Sequence, residues 1–225
     1  SSSISTNTSG GSCSNKVSEL LAKYFDKKLR SGTISSGTSG MNSDLLFEQH
    51  LDKCIGLFFY VNAKDIFEAF YRKYLSRRLL THKSASEEQE KYIISKLKAE
   101  CGANYTSKLE GMFTDMELSK DIMVQYNSHC AEPGHGKPTN TRGERAIEIN
   151  FQVLTTGFWP TPTQHFVQGA AADPAVLFPP EVRNIQRHFI SFYDNKYQGR
   201  RLNWSYSLDR CVLTGRFKRG KKELE

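Results

Sequence analysis

The sequence predicts a mainly helical α+β protein: an antiparallel helical bundle followed by a small, incomplete α/β domain with an antiparallel sheet. Three observations support this prediction. Apolar residues recur at three- and four-residue spacing through residues 64–123, which is the pattern of helices with one buried face. A stretch rich in Pro, Gly and polar residues at 131–145 then interrupts the pattern. After it, apolar and polar residues alternate as they do in strands.

Five helices are predicted in the bundle, and each carries apolar side chains on one side. They cover about residues 15–31, 43–60, 64–82, 87–101 and 105–129. Ser86 and Gln89 have the spacing of a capping box at the start of the fourth helix, and Gly102 follows its last turn. The fifth helix either continues through Leu118 and Ser119 or is broken there. Long helices with short links bury their apolar stripes against one another, which favours an antiparallel bundle.

The predicted organisation has four parts. Residues 1–14 are expected to be disordered, and residues 15–130 form the bundle. Residues 131–145 form a linker, and residues 146–225 form an α/β domain that is truncated at its C-terminal end. A Ser/Gly-rich linker at 31–43 separates the first two helices. Because the first residue is not Met, the sequence is expected to be a piece of a longer protein.

The α/β domain is predicted to contain one helix and several short strands. Pro179 and Pro180 open the helix, which extends to about Tyr193. A turn at residues 218–221 precedes KKELE, which starts a last strand. The residues that define the three preceding strands by alternation are Ile147, Ile149, Phe151 and Val153, then Leu202, Trp204, Tyr206 and Leu208, then Val212, Thr214 and Arg216.

Composition restricts the class of protein. Of the 225 residues, 38% are hydrophobic, and no apolar stretch reaches the roughly 18 residues of a membrane-spanning helix. The N-terminus lacks the basic and apolar blocks of a secretory signal. The five cysteines are scattered without a C-x-x-C pair, which indicates free thiols in a reducing compartment. The net charge of +7 favours acidic partners.

Motifs for catalysis or metal binding are weak. The run Gly134 to Lys137 lacks the phosphate-loop spacing and is followed by Pro138, so a flexible linker is the better interpretation. His129, Cys130 and His135 lack a fourth ligand at zinc spacing. No local set of a Cys or Ser, a His and an orienting acid stands out as a nucleophilic site, although such partners can be distant in sequence. We therefore expect no catalytic residues, no metal and no cofactor.

Two features of the C-terminal part indicate interactions. An incomplete sheet exposes unpaired backbone groups to which another chain can add a strand, although residues 147–153 could equally form an internal strand. A basic stretch could attract an acidic tail or nucleic acid, or it could be a solvated strand face. That basic stretch contains, against Asp209 alone, Arg200, Arg201, Arg210, Arg216, Lys218, Arg219, Lys221 and Lys222.

Five stretches, in order, resemble the cullin family. They are SELLAKYFDKKL, KDIFEAFYRKYLSRRLL, SKLKAECGANYTSKLEGMFTDMELSKD, INFQVLTTGFWPT and FYDNKYQGRRLNW. Together they cover the chain from about Asn15 to its end. The stretch LEGMFTDMELSKDIM resembles most closely the cullins that use DNA-damage-binding or BTB-type adaptors.

The resemblance implies a function and partners. Cullins are non-catalytic scaffolds of RING ubiquitin ligases, found in the cytoplasm and nucleus. This region resembles their four-helix bundle and the start of their α/β domain. In the family, the α/β sheet takes up the N-terminal strand of a RING-box protein, whose zinc-bearing RING recruits a ubiquitin-conjugating enzyme. The resemblance implies no membrane partner, and a nucleic-acid-binding module remains the alternative.

The resemblance also implies which residues make these contacts. The basic residues 200–222 would attract the acidic tail of the conjugating enzyme. The resemblance implies that substrate adaptors bind N-terminal repeats that this sequence lacks and that the winged-helix region with its modified lysine is absent too, so this piece alone is expected neither to recruit substrates nor to be modified. Its RING-box binding is expected to be weakened, because the docking groove is incomplete. The residues expected at the RING-box contact are Ile147, Ile149, Phe151, Val153, Gly157, Phe158, Trp159 and Pro160, supported by Leu202 and Trp204.

Overall fold

A computed structural model describes residues 10–32, 42–132, 147–160, 178–206, 210–217 and 220–224. Its elements are mainly helical, as the sequence predicts. In chain order they are α1 (Gly10–Ser31), α2 (Asn42–Phe59), α3 (Lys64–Leu80), α4 (Glu87–Cys101), α5 (Ala103–Ala131), α6 (Pro180–Lys196), β1 (Leu213–Phe217) and β2 (Gly220–Leu224).

The ends of the helices follow local signals in the sequence. Ser86 caps α4, and its Oγ accepts a hydrogen bond from the backbone N–H of Gln89 at 3.3 Å. Gly32 follows α1 with a φ of 61°, in a position where an added Cβ would lie 2.7 Å from the Cβ of Ala85. Glycine there both ends the helix and permits the close approach of the chain after α3. α1 begins at Gly10, before the predicted start at residue 15.

The chain divides into two compact units, and the first consists of Ser1–Asp121 and Gln152–Thr161. Aromatic rings join its first three helices: Phe25 of α1 meets Phe67 of α3 edge-on at 5.9 Å between ring centroids. Phe58 of α2 lies 4.8 Å from Phe67. The buried core includes Leu29, Leu51, Leu75, Ile93, Leu97, Leu109 and Met112, from all five helices α1–α5.

A buried ionic cluster lies within this core. The Arg78 guanidinium, which is 0% exposed, donates to both carboxylate oxygens of Glu90 at 2.7 and 2.9 Å and to Asp26 at 2.7 Å. Glu90 also accepts a hydrogen bond from Ser84 at 2.7 Å. Burial lowers the pKa of Arg78, but the Glu90 carboxylate outweighs this and raises the pKa above its usual value. The cluster therefore joins α1, α3 and α4 through charged groups that satisfy one another.

The second unit consists of Ile122–Phe151 and Pro162–Glu225. Its described core is an aromatic cluster in which the ring of Phe189 on α6 lies 5.1 Å from Tyr126 and 4.3 Å from Phe151. Near the end of the chain, β1 and β2 form an antiparallel hairpin in which Leu213 pairs with Leu224 and Phe217 with Gly220. β1 and β2 lie where the sequence predicts strands before and after a turn near residues 218–221.

The other predicted strands are not confirmed. Residues 147–155 and 201–206 lie outside any strand in the part of the chain that the structure describes, and Leu208 lies outside that part. The physical reason is visible at Val153 and Thr155, whose backbone groups bond to side chains of α5 instead of to another strand. Alternation of apolar and polar residues identifies a chain with one side towards the core and the other towards solvent. A strand also requires a second strand whose backbone pairs with it.

Several predictions concern residues outside the described ranges. The disordered segment falls partly on residues 1–9, and the two linkers fall mostly on residues 33–41 and 133–146. The interruption of the fifth helix, in contrast, falls on described residues. α5 runs through Leu118 and Ser119 without a break.

Candidate docking site

Residues 152–160 lie against α5 in the first unit, and a serine of that helix holds the middle of the segment. Ser119, which is 3% exposed, donates its hydroxyl hydrogen to the backbone carbonyl of Val153 at 2.9 Å. The backbone N–H of Val153 donates to the same Oγ at 2.5 Å. One hydroxyl thus satisfies both backbone groups of one residue, as the neighbouring residue in an antiparallel sheet would.

Asp115, one helical turn before Ser119, holds the next part of the segment. Its carboxylate accepts hydrogen bonds from the backbone N–H of Thr155 at 2.7 Å and from the Thr155 hydroxyl at 2.8 Å. It also accepts one from the indole N–H of Trp159 at 2.8 Å. Asp115 is 4% exposed, and burying a carboxylate is costly unless hydrogen bonds compensate. These three donors provide that compensation, and they fix both ends of residues 155–159.

The turn at residues 156–160 packs into the bundle. Trp159 is a buried member of the core of the first unit, and Phe158 is partly buried against the same core. The Phe158 ring covers Gly111 of α5 so closely that an added Cβ there would lie 2.6 Å from a ring carbon. Gly157 has a φ of 116°, a conformation that favours glycine, and it is exposed. Any substitution at Gly111 would push Phe158 out of its place.

The remaining predicted docking residues lie in the second unit. Phe151 is buried, its backbone N–H donates to the sulfur of Met123 at 3.4 Å, and its ring lies 5.6 Å from Trp204. The rings of Trp204 and Tyr206 are nearly parallel, with centroids 6.5 Å apart. Ile147, Ile149, Leu202 and Trp204 are half-buried.

The ten predicted docking residues therefore form two groups. One group lies in the first unit and contains Val153, Gly157, Phe158, Trp159 and Pro160. The other lies in the second unit and contains Ile147, Ile149, Phe151, Leu202 and Trp204. Within them, Phe151 and Trp159 are buried and support the site from inside.

Sequence reasoning missed Asp115 and Ser119. The signal was present, because both polar residues occur at four-residue spacing on the buried side of α5, among Met112, Met116 and Ile122. A polar residue on a buried helical face needs a hydrogen-bond partner. Its presence there could have indicated that a further segment covers this face.

The predicted basic patch is described only in part. Arg200, Arg201 and Arg210 are exposed, and the guanidinium of Arg200 lies 5.5 Å from the centre of the Tyr197 ring. Both arginines at 200 and 201 line an open pocket of about 390 Å³ beside the C-terminal end of α6. In the hairpin, the backbone of Arg216 lies opposite that of Lys221, and the backbone of Lys222 lies opposite that of Gly215. Lys218 and Arg219 lie outside the described residues.

A Tyr–His–Cys cluster lies at the end of α5 in the second unit. The Tyr126 hydroxyl is 3.0 Å from Nδ1 of His188, and the Cys130 sulfur is 4.0 Å from the same nitrogen. Burial, and then the proximity of Cys130, raise the pKa of Tyr126. Across the described ranges, no three His, Cys, Asp or Glu residues are arranged to hold a metal ion. His135 and the run 134–137 fall outside those ranges.

Among the described helices, none has both the length and the apolar character that crossing a bilayer requires.

Comparison with known proteins shows the family. The family model of the cullin alpha solenoid domain matches residues 1–123. The family model of the cullin alpha+beta domain matches residues 153–225. Cullin-4A of Mus musculus is 44% identical over 211 residues, which are 94% of this chain and 25% of that protein. Cullin-4 of Dictyostelium discoideum is 42% identical over 212 residues, 93% of this chain and 23% of its own length.

A more distant relative agrees with these matches. Cullin-3B of Arabidopsis thaliana is 38% identical over 205 residues, 91% of this chain and 24% of that protein. The chain belongs to the cullin family, which confirms the resemblance found in the sequence. It spans about a quarter of the length of the curated relatives that it matches.

Proposed function

We propose that this chain is a non-catalytic scaffold part of a cullin-RING ubiquitin ligase and helps to hold the RING-box subunit. Through that subunit it would position a ubiquitin-conjugating enzyme. Membership of the cullin family carries this proposal. The fixed attachment of residues 153–159 to α5 supports it, because a docking segment held by a rigid helix binds with little loss of conformational freedom.

The proposed docking residues are Val153, Gly157, Phe158, Trp159 and Pro160 in the first unit, and Ile147, Ile149 and Phe151 in the second, with Leu202 and Trp204 as supporting residues. We propose that a strand of the RING-box protein pairs with the backbone around Val153, as a neighbouring strand in an antiparallel sheet would. Main-chain hydrogen bonds would give the affinity, and half-buried side chains such as Ile149 and Leu202 would give the specificity.

The same proposal accounts for the other partners. The zinc would belong to the RING of the partner, so this chain would need neither a metal nor a cofactor. Substrate adaptors would bind to repeats that lie elsewhere in cullins. A complex of this kind would act in the cytoplasm and nucleus.

The exposed arginines suit an acidic partner. Arg200, Arg201 and Arg210 are exposed, and the chain carries a net charge of +7. We propose that they attract the acidic tail of a ubiquitin-conjugating enzyme by long-range electrostatics. Nucleic acid is the second candidate, since phosphates would be attracted in the same way.

Co-purification with a RING-box protein tests the scaffold proposal. The wild-type chain is expected to retain the partner, and Gln152→Pro is expected to lose it, because proline removes a backbone donor and resists strand pairing. Gln152→Ala is the matched control, since it shortens the same side chain but keeps the N–H. Equal retention by Gln152→Pro and wild type would exclude this segment as the docking strand.

Binding at two salt concentrations separates the two candidate functions. RING-box binding through strand pairing is expected to change little between low and moderate salt. Binding to nucleic acid is expected to weaken steeply, because phosphate contacts release counterions. Tight, salt-sensitive binding to a nucleic-acid duplex without RING-box binding would favour the alternative.

A further inference from the structure

Two buried side chains of α5 hold the segment around Val153 and Thr155 by its backbone. Ser119 bonds to the N–H and C=O of Val153, and Asp115 bonds to the N–H of Thr155. We call this pair the α5 clamp. The spacing of its members suits an extended chain, since four helical residues rise about 6 Å and two extended residues advance about 6.6 Å.

The bonding pattern defines which edge of the segment faces α5. In an extended chain, the N–H and C=O of one residue point to one edge, and those of the next residue point to the opposite edge. Val153 and Thr155 direct their bonded groups towards α5. The backbone groups of Gln152 and Leu154 therefore point away from this helix.

We propose that the α5 clamp holds residues 152–155 extended, so that the backbone groups of Gln152 and Leu154 form the edge with which an extended segment of the RING-box partner pairs. This inference rests on the proposed function and adds to it. It moves the hydrogen-bonding register from Ile149, Phe151 and Val153 to the residues that alternate with them. It also makes Asp115 and Ser119 positioning residues, which hold residues 152–155 for the RING-box partner without touching that partner themselves.

Burial explains why the clamp can do this. Both clamp side chains are almost completely buried, so a lost hydrogen bond is not replaced by water. Asp115 also anchors the Trp159 indole, which is part of the core. The segment is therefore fixed on both sides of Leu154, and a partner would not have to pay the conformational entropy of ordering it.

Amide hydrogen exchange of the 225-residue chain tests the clamp first. Slow exchange is expected at Val153 and Thr155, and faster exchange at Gln152 and Leu154. Ser119→Ala is expected to speed exchange at Val153 by about two- to tenfold, since the Val153 N–H loses its acceptor. Ser119→Thr keeps the hydroxyl and should restore protection, and Thr114→Ala, at an exposed position of α5, is the matched control. Equal exchange at all four amides, or wild-type exchange in Ser119→Ala, overturns the clamp.

Addition of a purified RING-box protein tests the edge. Gln152 and Leu154 are expected to gain about tenfold protection, while Val153 and Thr155 keep theirs. Ser119→Ala is expected to weaken binding about two- to tenfold, and Ser119→Thr to restore it. Binding without new protection at Gln152 and Leu154 overturns this inference and leaves the proposed function standing. Absence of binding by the wild type overturns the proposed function, and the docking edge with it.

Discussion

At the scale of single residues, the main question is how charged groups remain inside the bundle. Arg78 is fully buried because Glu90 receives two of its hydrogen bonds and Asp26 a third. Such a cluster is costly to break, although an apolar replacement of both partners can be neutral. The cluster therefore specifies how α1, α3 and α4 meet more than it adds net stability.

Removal of one partner from this cluster should destabilise the chain strongly. Arg78→Met is expected to lower the free energy of unfolding by about 3–5 kcal/mol, because Glu90 is left buried with an unpaired charge. Urea unfolding measures the change. Adding Glu90→Met to Arg78→Met should recover part of the loss, and Lys91→Met, in an exposed pair with Glu87, should cost about 0–1 kcal/mol. A loss below 1 kcal/mol for Arg78→Met would contradict the account.

Tyr71 makes stability depend on pH in the alkaline range. Burial, and then the carboxylate of Glu90, raise the pKa of its hydroxyl above the ordinary value of about 10. Because the folded state keeps a proton that the unfolded state loses, this contribution is complete below about pH 10 and is lost as the pH rises above it.

Urea unfolding from pH 8 to pH 11 should show this dependence. The decline in unfolding free energy is expected to be smaller in Tyr71→Phe than in the wild type, since phenylalanine has no proton to lose. Tyr60→Phe is the control, because Tyr60 is 85% exposed. Identical slopes for wild type and Tyr71→Phe would show that Tyr71 does not contribute.

At the scale of elements, helices were predictable and isolated strands were not. A helix satisfies its own backbone, so periodicity and caps such as Ser86 and Gly102 define it locally. Residues 147–153 have strand periodicity, but their backbone partners depend on residues distant in sequence. Ser119 shows this well, because its side chain bonds to Val153 and leaves the hydrogen bonds of α5 intact. Neither the clamp nor the absence of strands at 147–155 followed from alternation alone.

The cap of α4 gives a test at this scale. Ser86→Ala is expected to lower the free energy of unfolding by about 1 kcal/mol, because the N–H of Gln89 loses its acceptor. Thermal or urea unfolding measures the loss. Ser95→Ala, at an exposed position within the same helix, should change stability much less. A larger effect at Ser95 than at Ser86 would refute the cap.

At the scale of the whole molecule, the chain is a cullin segment with two compact units. The sequence motifs predicted the family correctly, since cullins 38–44% identical to this chain match more than nine-tenths of it. They predicted a docking region but not the division of its residues into buried ones, such as Phe151 and Trp159, and half-buried ones such as Ile149. That division depends on packing, which motif matching does not contain.

Isothermal titration of this chain with a purified RING-box protein tests the central claim most directly. We expect saturable binding in which the Kd changes little with salt and which Gln152→Pro abolishes while Gln152→Ala retains it. No heat of binding to the wild type, or a Kd that is the same for the wild type and Gln152→Pro, would contradict the account.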